Sequence, residues 1–216
     1  MFDLCKENKK QDLVSKKDLT IIALDLFSRY GIKSVSMDSI AKKANISKRT
    51  LYEYFDDKET LLSNALEYDC KGHVELVKRL EENLESVIDI LIYLYDEIMQ
   101  MPRWYNRKFY DDLMKFPRAQ EVRQKYFDQF LQTLMKWFIR GVEEGVFKDD
   151  INFEIVVLLA KGYAKMIRPS HTFSRFSSRD VYNTILQVFM RGICTEKGVQ
   201  ILDRHIREKR YELSNN

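Results

Sequence analysis

The chain has 216 residues, of which 45% are hydrophobic and 32% are charged. Only 7 glycines and 3 prolines occur, which argues against β-rich and loop-rich folds and favours helices joined by short turns. The net charge of +3 is too small to indicate nucleic-acid binding by itself, but residues 1–50 carry a net charge of +5 and the remainder a net charge of −2. We therefore predict an all-α globular protein with a basic N-terminal part.

Apolar residues at helical spacing predict the first helix, which runs from Leu19 to Tyr30. Gly31 follows at the position where a left-handed helix cap is favoured. We predict that residues 1–14 form a flexible basic tail. Its lysines fit either an arm in the DNA minor groove or a solvated chain end: Lys6, Lys9 and Lys10.

Two short helices follow at once. Ser36 is predicted to cap a helix over residues 37–44, and Asn45 tolerates the left-handed conformation that ends it. Ser47 is predicted to cap the next helix, over residues 48–54. Each helix has about two turns.

Two helices this short cannot form a core alone, so they must pack on a third helix, which is the anatomy of a helix-turn-helix. Ala41 and Ala44 allow the two helices to approach closely, and Ile40, Ile46 and Leu51 fill the angle between them. The second helix then exposes side chains that can meet phosphates and base edges in a major groove. These are Lys48, Arg49, Thr50 and Tyr52.

Asp57 can cap a fourth helix, which is predicted to end near residue 80. Further helical patterns cover residues 84–101, 105–115, 118–144, 150–167, 179–194 and 195–211. Gly141 and Gly145 are predicted to close the helix over 118–144, and Asp149 or Asp150 to open the next one. The sequence therefore predicts nine to ten helices.

Over residues 15–62 the sequence resembles the tetracycline-repressor (TetR) family of bacterial transcription regulators. The matching patterns are L-F-x-x-x-G at 26–31, S-x-x-x-I-A at 36–41 and T-L-Y-x-Y-F-x-x-K-E at 50–59. The resemblance implies a helix-turn-helix DNA-binding domain over 1–60 and a larger helical domain over 61–216 that binds an effector and pairs two subunits. It also implies a cytoplasmic, ligand-responsive repressor that binds a palindromic operator as a homodimer.

The resemblance implies a set of DNA-binding residues. They are Ser36, Met37, Ser47, Lys48, Arg49, Thr50, Tyr52, Tyr54 and Lys58. Arg49 stands where the family commonly has Gly or Pro, and its side chain fits either a guanine edge or a phosphate. Without the family, Tyr52 and Tyr54 would be interpreted as ordinary half-buried aromatic residues.

For the larger domain the resemblance lies in layout, and it implies an apolar effector pocket for a small hydrophobic or aromatic ligand. Its candidate residues are Tyr93, Trp104, Tyr105, Phe109, Met114, Phe127, Phe130 and Trp137. Aromatic residues at helical spacing are equally consistent with plain core. Candidate pairing residues lie on two helices near the C-terminus, and they also fit either interface or core: Val156, Leu159, Tyr163, Val181, Ile185 and Phe189.

Other classes of protein have weaker support. The sequence has no G-x-S-x-G pattern and no phosphate-binding glycine-rich loop, so we do not expect an enzyme. Cys5, Cys70 and Cys194 are far apart, which predicts no zinc site and leaves a thiol sensor as a weak alternative. No cofactor, metal or membrane partner is expected. A DNA-binding protein without an effector, controlled by a protein partner or acting architecturally, remains the main alternative.

Overall fold

A computed structural model describes residues 14–100, 105–167, 173 and 175–214. In these residues the chain forms ten α-helices, which confirms the predicted all-α fold. They are α1 (Lys16–Tyr30), α2 (Met37–Lys43), α3 (Lys48–Tyr54), α4 (Lys58–Asn83), α5 (Val87–Gln100), α6 (Arg107–Leu113), α7 (Pro117–Glu143), α8 (Phe153–Ile167), α9 (Ser178–Ile193) and α10 (Glu196–Ser214). None of the helices in the described ranges is long and apolar enough to cross a bilayer.

The N-terminal helices begin where their capping side chains predict. Ser36 accepts a hydrogen bond from the backbone N–H of Ser39 at the start of α2, and Ser47 caps α3 in the same way. Asp57 caps α4 through the backbone N–H of Thr60. Sequence reasoning missed the cap of α1, where Ser15 and Asp18 form a capping box. These local bonds fix the points at which the DNA-binding segment changes direction.

Of two predicted helix boundaries, one is confirmed in part and the other is wrong. Gly145, with φ of 69°, follows α7 at the predicted helix end. Gly141 does not close a helix but lies inside α7, where the ring of Phe147 packs so tightly that a Cβ atom would come within 2.1 Å of it. The next helix does not open at Asp149 or Asp150. It begins at Phe153, and the side chain of Asn152 accepts hydrogen bonds from the first turn.

The buried apolar residues fall into two clusters. The first cluster fills the space between α1, α2, α3 and the start of α4, and Phe27 and Phe55 are among its largest members. Phe109 and Leu113 of α6 and Ala119 of α7 belong to the same cluster. The core beneath the DNA-binding segment is therefore completed by residues far along the chain.

The second cluster lies in the C-terminal part and contains residues of α4, α5, α7, α8, α9 and α10. A short antiparallel bridge between Phe147 and Cys194 fixes the segment between α7 and α8 against the end of α9. Trp137 is buried in this cluster, and its indole N–H donates to the carboxylate of Glu81 at 2.7 Å.

Polar contacts join α6 and α7 to the N-terminal helices. Arg118 of α7 donates to Asp57 at 2.7 Å, and its backbone N–H donates to Glu59 at 2.9 Å. On the other side, the backbone N–H of Asn106 donates to the carbonyl of Ser28. We refer to this contact region as the junction.

Candidate DNA interface

The turn between α2 and α3 has the geometry that the helix-turn-helix requires. Asn45 adopts a left-handed conformation with φ of 56°, as predicted, and the backbone N–H of Ile46 donates to the carbonyl of Ala41 at 3.0 Å. Ala41 and Ala44 are buried together with Leu51. The small side chains let α2 and α3 pack closely, and α3 consequently turns its polar face to solvent.

The exposed face of α3 is basic. The side chain of Arg49 is 91% exposed and lies 3.4 Å from Glu53, a weak surface ion pair that a DNA phosphate or base can replace. Tyr52 is 43% exposed, and the ammonium of Lys48 lies 6.0 Å from the centre of its ring. The hydroxyls of Ser47 and Thr50 are 2.8 Å apart at the start of the helix. Lys48, Arg49 and Tyr52 are therefore exposed on α3, whereas Thr50 is half-buried.

Four other predicted DNA contacts are less accessible or serve the fold as well. Met37 is buried in the first cluster, so only its backbone is left to face DNA. Tyr54 is half-buried against the same cluster, as its alternative interpretation had it. The ammonium of Lys58 lies 5.9 Å from the centre of the Phe27 ring, and burial lowers the pKa of this lysine. Ser36 is exposed and caps α2.

Comparison with known proteins places this segment in a family. The sequence profile of the tetR family of bacterial regulatory proteins matches residues 22–65, which span most of α1, all of α2 and α3 and the start of α4. Over this segment the chain is similar to the tetR family. It is a transcriptional regulator with a helix-turn-helix DNA-binding segment, and its relatives and structural neighbours are regulators rather than enzymes.

Two curated members of the tetR family illustrate the similarity. A helix-turn-helix transcriptional regulator of Staphylococcus aureus is 24% identical over 50% of this chain and 68% of its own length. IcaR of Staphylococcus epidermidis, the negative transcriptional regulator of the biofilm operon icaADBC, is 26% identical over 52% of this chain and 60% of its own length. The chain thus spans about two thirds of these relatives.

Solved structures share the fold across most of the chain. The ketosteroid transcriptional regulator KstR2 of Mycobacterium tuberculosis aligns with a TM-score of 0.61 at 19% identity, covering 84% of this chain and 95% of the other. The fatty acid degradation regulator FadR of Bacillus halodurans gives 0.62 at 16% identity, with 84% and 97% covered. A protein of Saccharomonospora viridis in complex with choline gives 0.71 at 16% identity, with 84% and 98% covered. At these identities the likeness establishes the fold alone.

The predicted pocket residues are divided between the two clusters. Phe109 is buried in the first cluster with Tyr105 stacked on it at 4.1 Å, and the Tyr105 hydroxyl donates to Asp69 at 2.6 Å. Phe130 and Trp137 pack in the second cluster. These four residues pack in or against the two clusters, and their place in an effector pocket stays a prediction. The remaining candidates are Tyr93 and Met114, which are exposed, Phe127, which is half-buried, and Trp104, which lies outside the described residues.

The predicted pairing residues are also divided. Val181 is buried and Val156 packs against the second cluster, so both contribute to the core. Leu159 is 50% exposed. Ile185 and Phe189 are half-buried, and the side chain of Tyr163 lies outside the described residues.

Sequence reasoning missed the most exposed apolar residues of α8 and α9. Ile155 is 55% exposed, Leu158 is 65% exposed and Val188 is 67% exposed. The signal that could have found them is the helical spacing of Ile155, Leu158 and Leu159, which puts the three on one face of α8.

The two described cysteines are poorly suited to redox sensing. Burial raises the pKa of both Cys70 and Cys194 to about 11, which keeps the thiols protonated at neutral pH. A thiol sensor needs the thiolate, so this alternative has no support from either residue. Cys5 lies outside the described residues, as do Lys6, Lys9 and Lys10. In the described part of the chain no three metal-binding side chains gather into a site.

Proposed function

We propose that the chain is a ligand-responsive repressor that binds a near-palindromic operator as a homodimer and is released by a small hydrophobic effector. The observation that carries this proposal is the exposed basic face of α3, held on a fixed core and combined with an exposed apolar face on α8 and α9. IcaR, whose name describes a negative regulator, supports repression. Because the proposed partner is bacterial DNA, we propose that the protein acts in the cytoplasm.

We infer that Arg49 reads a base, because its side chain is almost fully exposed and an arginine can bond a guanine edge bidentately. The test uses a 40-base-pair duplex enriched from a random pool by repeated binding to the full-length protein. Arg49→Ala should reduce discrimination by about 1–3 kcal/mol at one base pair of each half-site. The matched control is Lys43→Ala on α2. Equal weakening of binding to every sequence would assign Arg49 to a phosphate instead.

The proposed dimer pairs the apolar faces of α8 and α9. Ile155, Leu158 and Leu159 of α8 and Val188 of α9 expose more apolar surface than a lone surface residue would, and such patches mark interfaces. A two-fold pair would place the two copies of α3 about 34–36 Å apart, the spacing of successive major grooves.

A pair of isoleucine variants tests this dimer. Ile155→Asp should yield monomers in analytical ultracentrifugation and lose operator affinity, because a carboxylate would be buried in the interface. Ile139→Asp is the control, since Ile139 of α7 is 57% exposed and Ile155 is 55% exposed. A dimer that survives Ile155→Asp, or that dissociates equally in both variants, would contradict the proposed interface.

An effector site in the C-terminal part would act through α4. This helix has 26 residues, begins at the DNA-binding segment and packs against both α1 and α7. A ligand that binds one arrangement of α4 better than another would shift the protein away from the DNA-binding form. The neighbours named for ketosteroid and fatty acid regulation, and the one holding choline, support a small organic effector.

Thermal unfolding and operator binding with oleate, a ketosteroid and choline as probes test the effector. A bound effector at 100 times its Kd should stabilise the protein by about 2.7 kcal/mol and lower operator affinity. Unchanged operator affinity with these probes and with cell metabolite and lipid extracts would favour the alternative of a regulator without an effector.

A further inference from the structure

A group of lysines surrounds one carboxylate at the junction. Lys33 lies in the loop between α1 and α2, and its backbone N–H donates to Oδ2 of Asp112 at 2.7 Å. Lys115 lies in the turn between α6 and α7, and its backbone N–H donates to the carbonyl of the same Asp112 at 2.9 Å. Asp112, which is 79 residues after Lys33, thereby anchors both the loop of Lys33 and the turn of Lys115. It brings the two lysines together.

We refer to the part of the junction around Lys33, Asp112 and Lys115 as the corner. The charges at this corner are unbalanced. Lys33 and Lys115 are both exposed, and the neighbouring ammonium of Lys115 lowers the pKa of Lys33. Asp112 already accepts the Lys33 N–H, and its charge also acts on Lys58. Two ammonium groups side by side repel each other, and an anion between them would remove that repulsion.

Two carboxylates at the start of α4 are already engaged. Asp57 and Glu59 both bind Arg118, with Nη2 at 2.7 Å from Asp57 and 3.5 Å from Glu59. The carboxylate of Asp112 thus acts on both Lys33 and Lys58, and the ammonium of Lys115 lies beside that of Lys33. The corner retains a positive charge that is available to a partner.

The corner adjoins the DNA-binding surface. Lys33 is three residues before Ser36, the cap of α2, and Lys115 is three residues before Arg118, which holds the start of α4 through Asp57. The lysines therefore continue the basic surface of the helix-turn-helix onto the turn between α6 and α7.

We propose that Lys33 and Lys115 bind DNA backbone phosphates that flank the half-site read by α3. This inference rests on the proposed function and extends it, because Lys115 belongs to the larger domain, which the sequence had assigned to effector binding and pairing alone. A change in α6 and α7 would then alter DNA affinity at a direct contact, besides any change transmitted through α4.

The test measures how operator affinity depends on salt. Each phosphate contact that is lost should reduce the slope of log K against log salt by about 0.9. For the double variant Lys33→Gln, Lys115→Gln the reduction is about 1.8, so between 50 and 200 mM salt the unaltered protein should lose about 12-fold more affinity than the variant. The probe is the enriched 40-base-pair duplex described above.

Three controls make the result decisive. Lys125→Gln removes the same charge from an exposed position of α7 and should leave the slope within a few tenths of the original. Lys33→Arg, Lys115→Arg should retain the slope, which excludes misfolding as the cause. Shortening the flanks of the duplex by one base pair at a time should lower the affinity of the unaltered protein to that of the double glutamine variant.

An unchanged slope in the double glutamine variant, or an equal reduction in Lys125→Gln, overturns the inference while leaving the proposed function intact. If no duplex is enriched and the unaltered protein shows no salt-dependent binding to DNA, the proposed function and this inference both fail.

Discussion

Asp57 connects the start of α4 to α7, and its replacement measures what this connection contributes to stability. One carboxylate oxygen accepts the backbone N–H of Thr60 at 2.6 Å, and the other lies 2.7 Å from Arg118. Asp57→Ala removes both interactions. Asp57→Asn keeps an acceptor for the helix cap and removes the charge that faces the arginine.

The expected magnitude follows from the pKa of Asp57. The hydrogen bond from Thr60, followed by the one from Arg118, lowers this pKa from 3.8 to about 2. The difference corresponds to about 2.4 kcal/mol, and because the side chain is 50% exposed we expect solvent screening to leave about 1 kcal/mol. Asp57→Ala should lower the free energy of unfolding by about 1–2 kcal/mol, and Asp57→Asn by about half as much.

The dependence on pH has a definite sign. A carboxyl with a lowered pKa in the folded state stabilises the protein fully above its unfolded pKa, here 3.8, and loses this effect as the pH falls towards 2. Urea unfolding followed by circular dichroism should therefore show a gap between the unaltered protein and Asp57→Asn that is constant from pH 7 to 5 and about halved at pH 3. A gap that does not change over this range would refute the role of the ionised carboxylate.

Urea unfolding also checks three further predictions. Gly141→Ala should destabilise the protein by about 1–2 kcal/mol, because the new methyl group has no room beside Phe147. The control is Gly72→Ala on the exposed side of α4, which should stabilise the protein by about 0.5–1 kcal/mol. Equal effects of the two substitutions would contradict the packing at residue 141. Leu51→Ala should lower the free energy of unfolding by about 2–5 kcal/mol, because Leu51 of α3 is completely buried in the first cluster. A cost below 1 kcal/mol would show that this core is looser than described. Trp137→Phe should cost about 1–3 kcal/mol, because it removes part of a buried indole and its hydrogen bond to Glu81; a cost below about 0.5 kcal/mol would contradict this packing.

The DNA-binding segment could be predicted well because its signals are local. A serine or aspartate cap acts on a backbone N–H within three residues, so Ser36, Ser47 and Asp57 mark helix starts that no distant contact needs to decide. The left-handed Asn45 is likewise a property of the residue and its neighbours. The missed cap at Ser15 carries the same kind of signal, in the spacing of Ser15 and Asp18.

The wrong boundaries arose where distant residues decide the outcome. Asp149, Asp150 and Asn152 are all acceptable caps, and the sequence offers no local reason to prefer Asn152. The choice follows from the bridge between Phe147 and Cys194, which holds the preceding segment out of a helix. Gly141 was interpreted as a helix end, although its function is to admit the ring of Phe147 from outside the helix.

The predicted pocket could not be assigned for a related reason. Aromatic residues at helical spacing identify an apolar face without saying which other face covers it. Phe109 and Trp137 belong to different clusters because α6 packs beside α1, whereas the C-terminal half of α7 packs beside α5. This arrangement depends on how the helices pair, and pairing of helices is not encoded within any one of them.

The packing of α6 also changes how the predicted boundary at residue 60 is interpreted. The boundary separates the DNA-binding motif from the rest of the sequence, but Phe109 completes the hydrophobic cluster beneath that motif and is fully buried there. The same short helix holds Asp112 against Lys33, and the turn after it leads to Arg118 of α7, which binds Asp57 at the start of α4. A displacement of α6 would thus disturb the core of the DNA-binding segment, its flanking lysines and the cap of α4 together. We propose α6 as a second route, besides α4, by which a ligand in the C-terminal part would change DNA affinity.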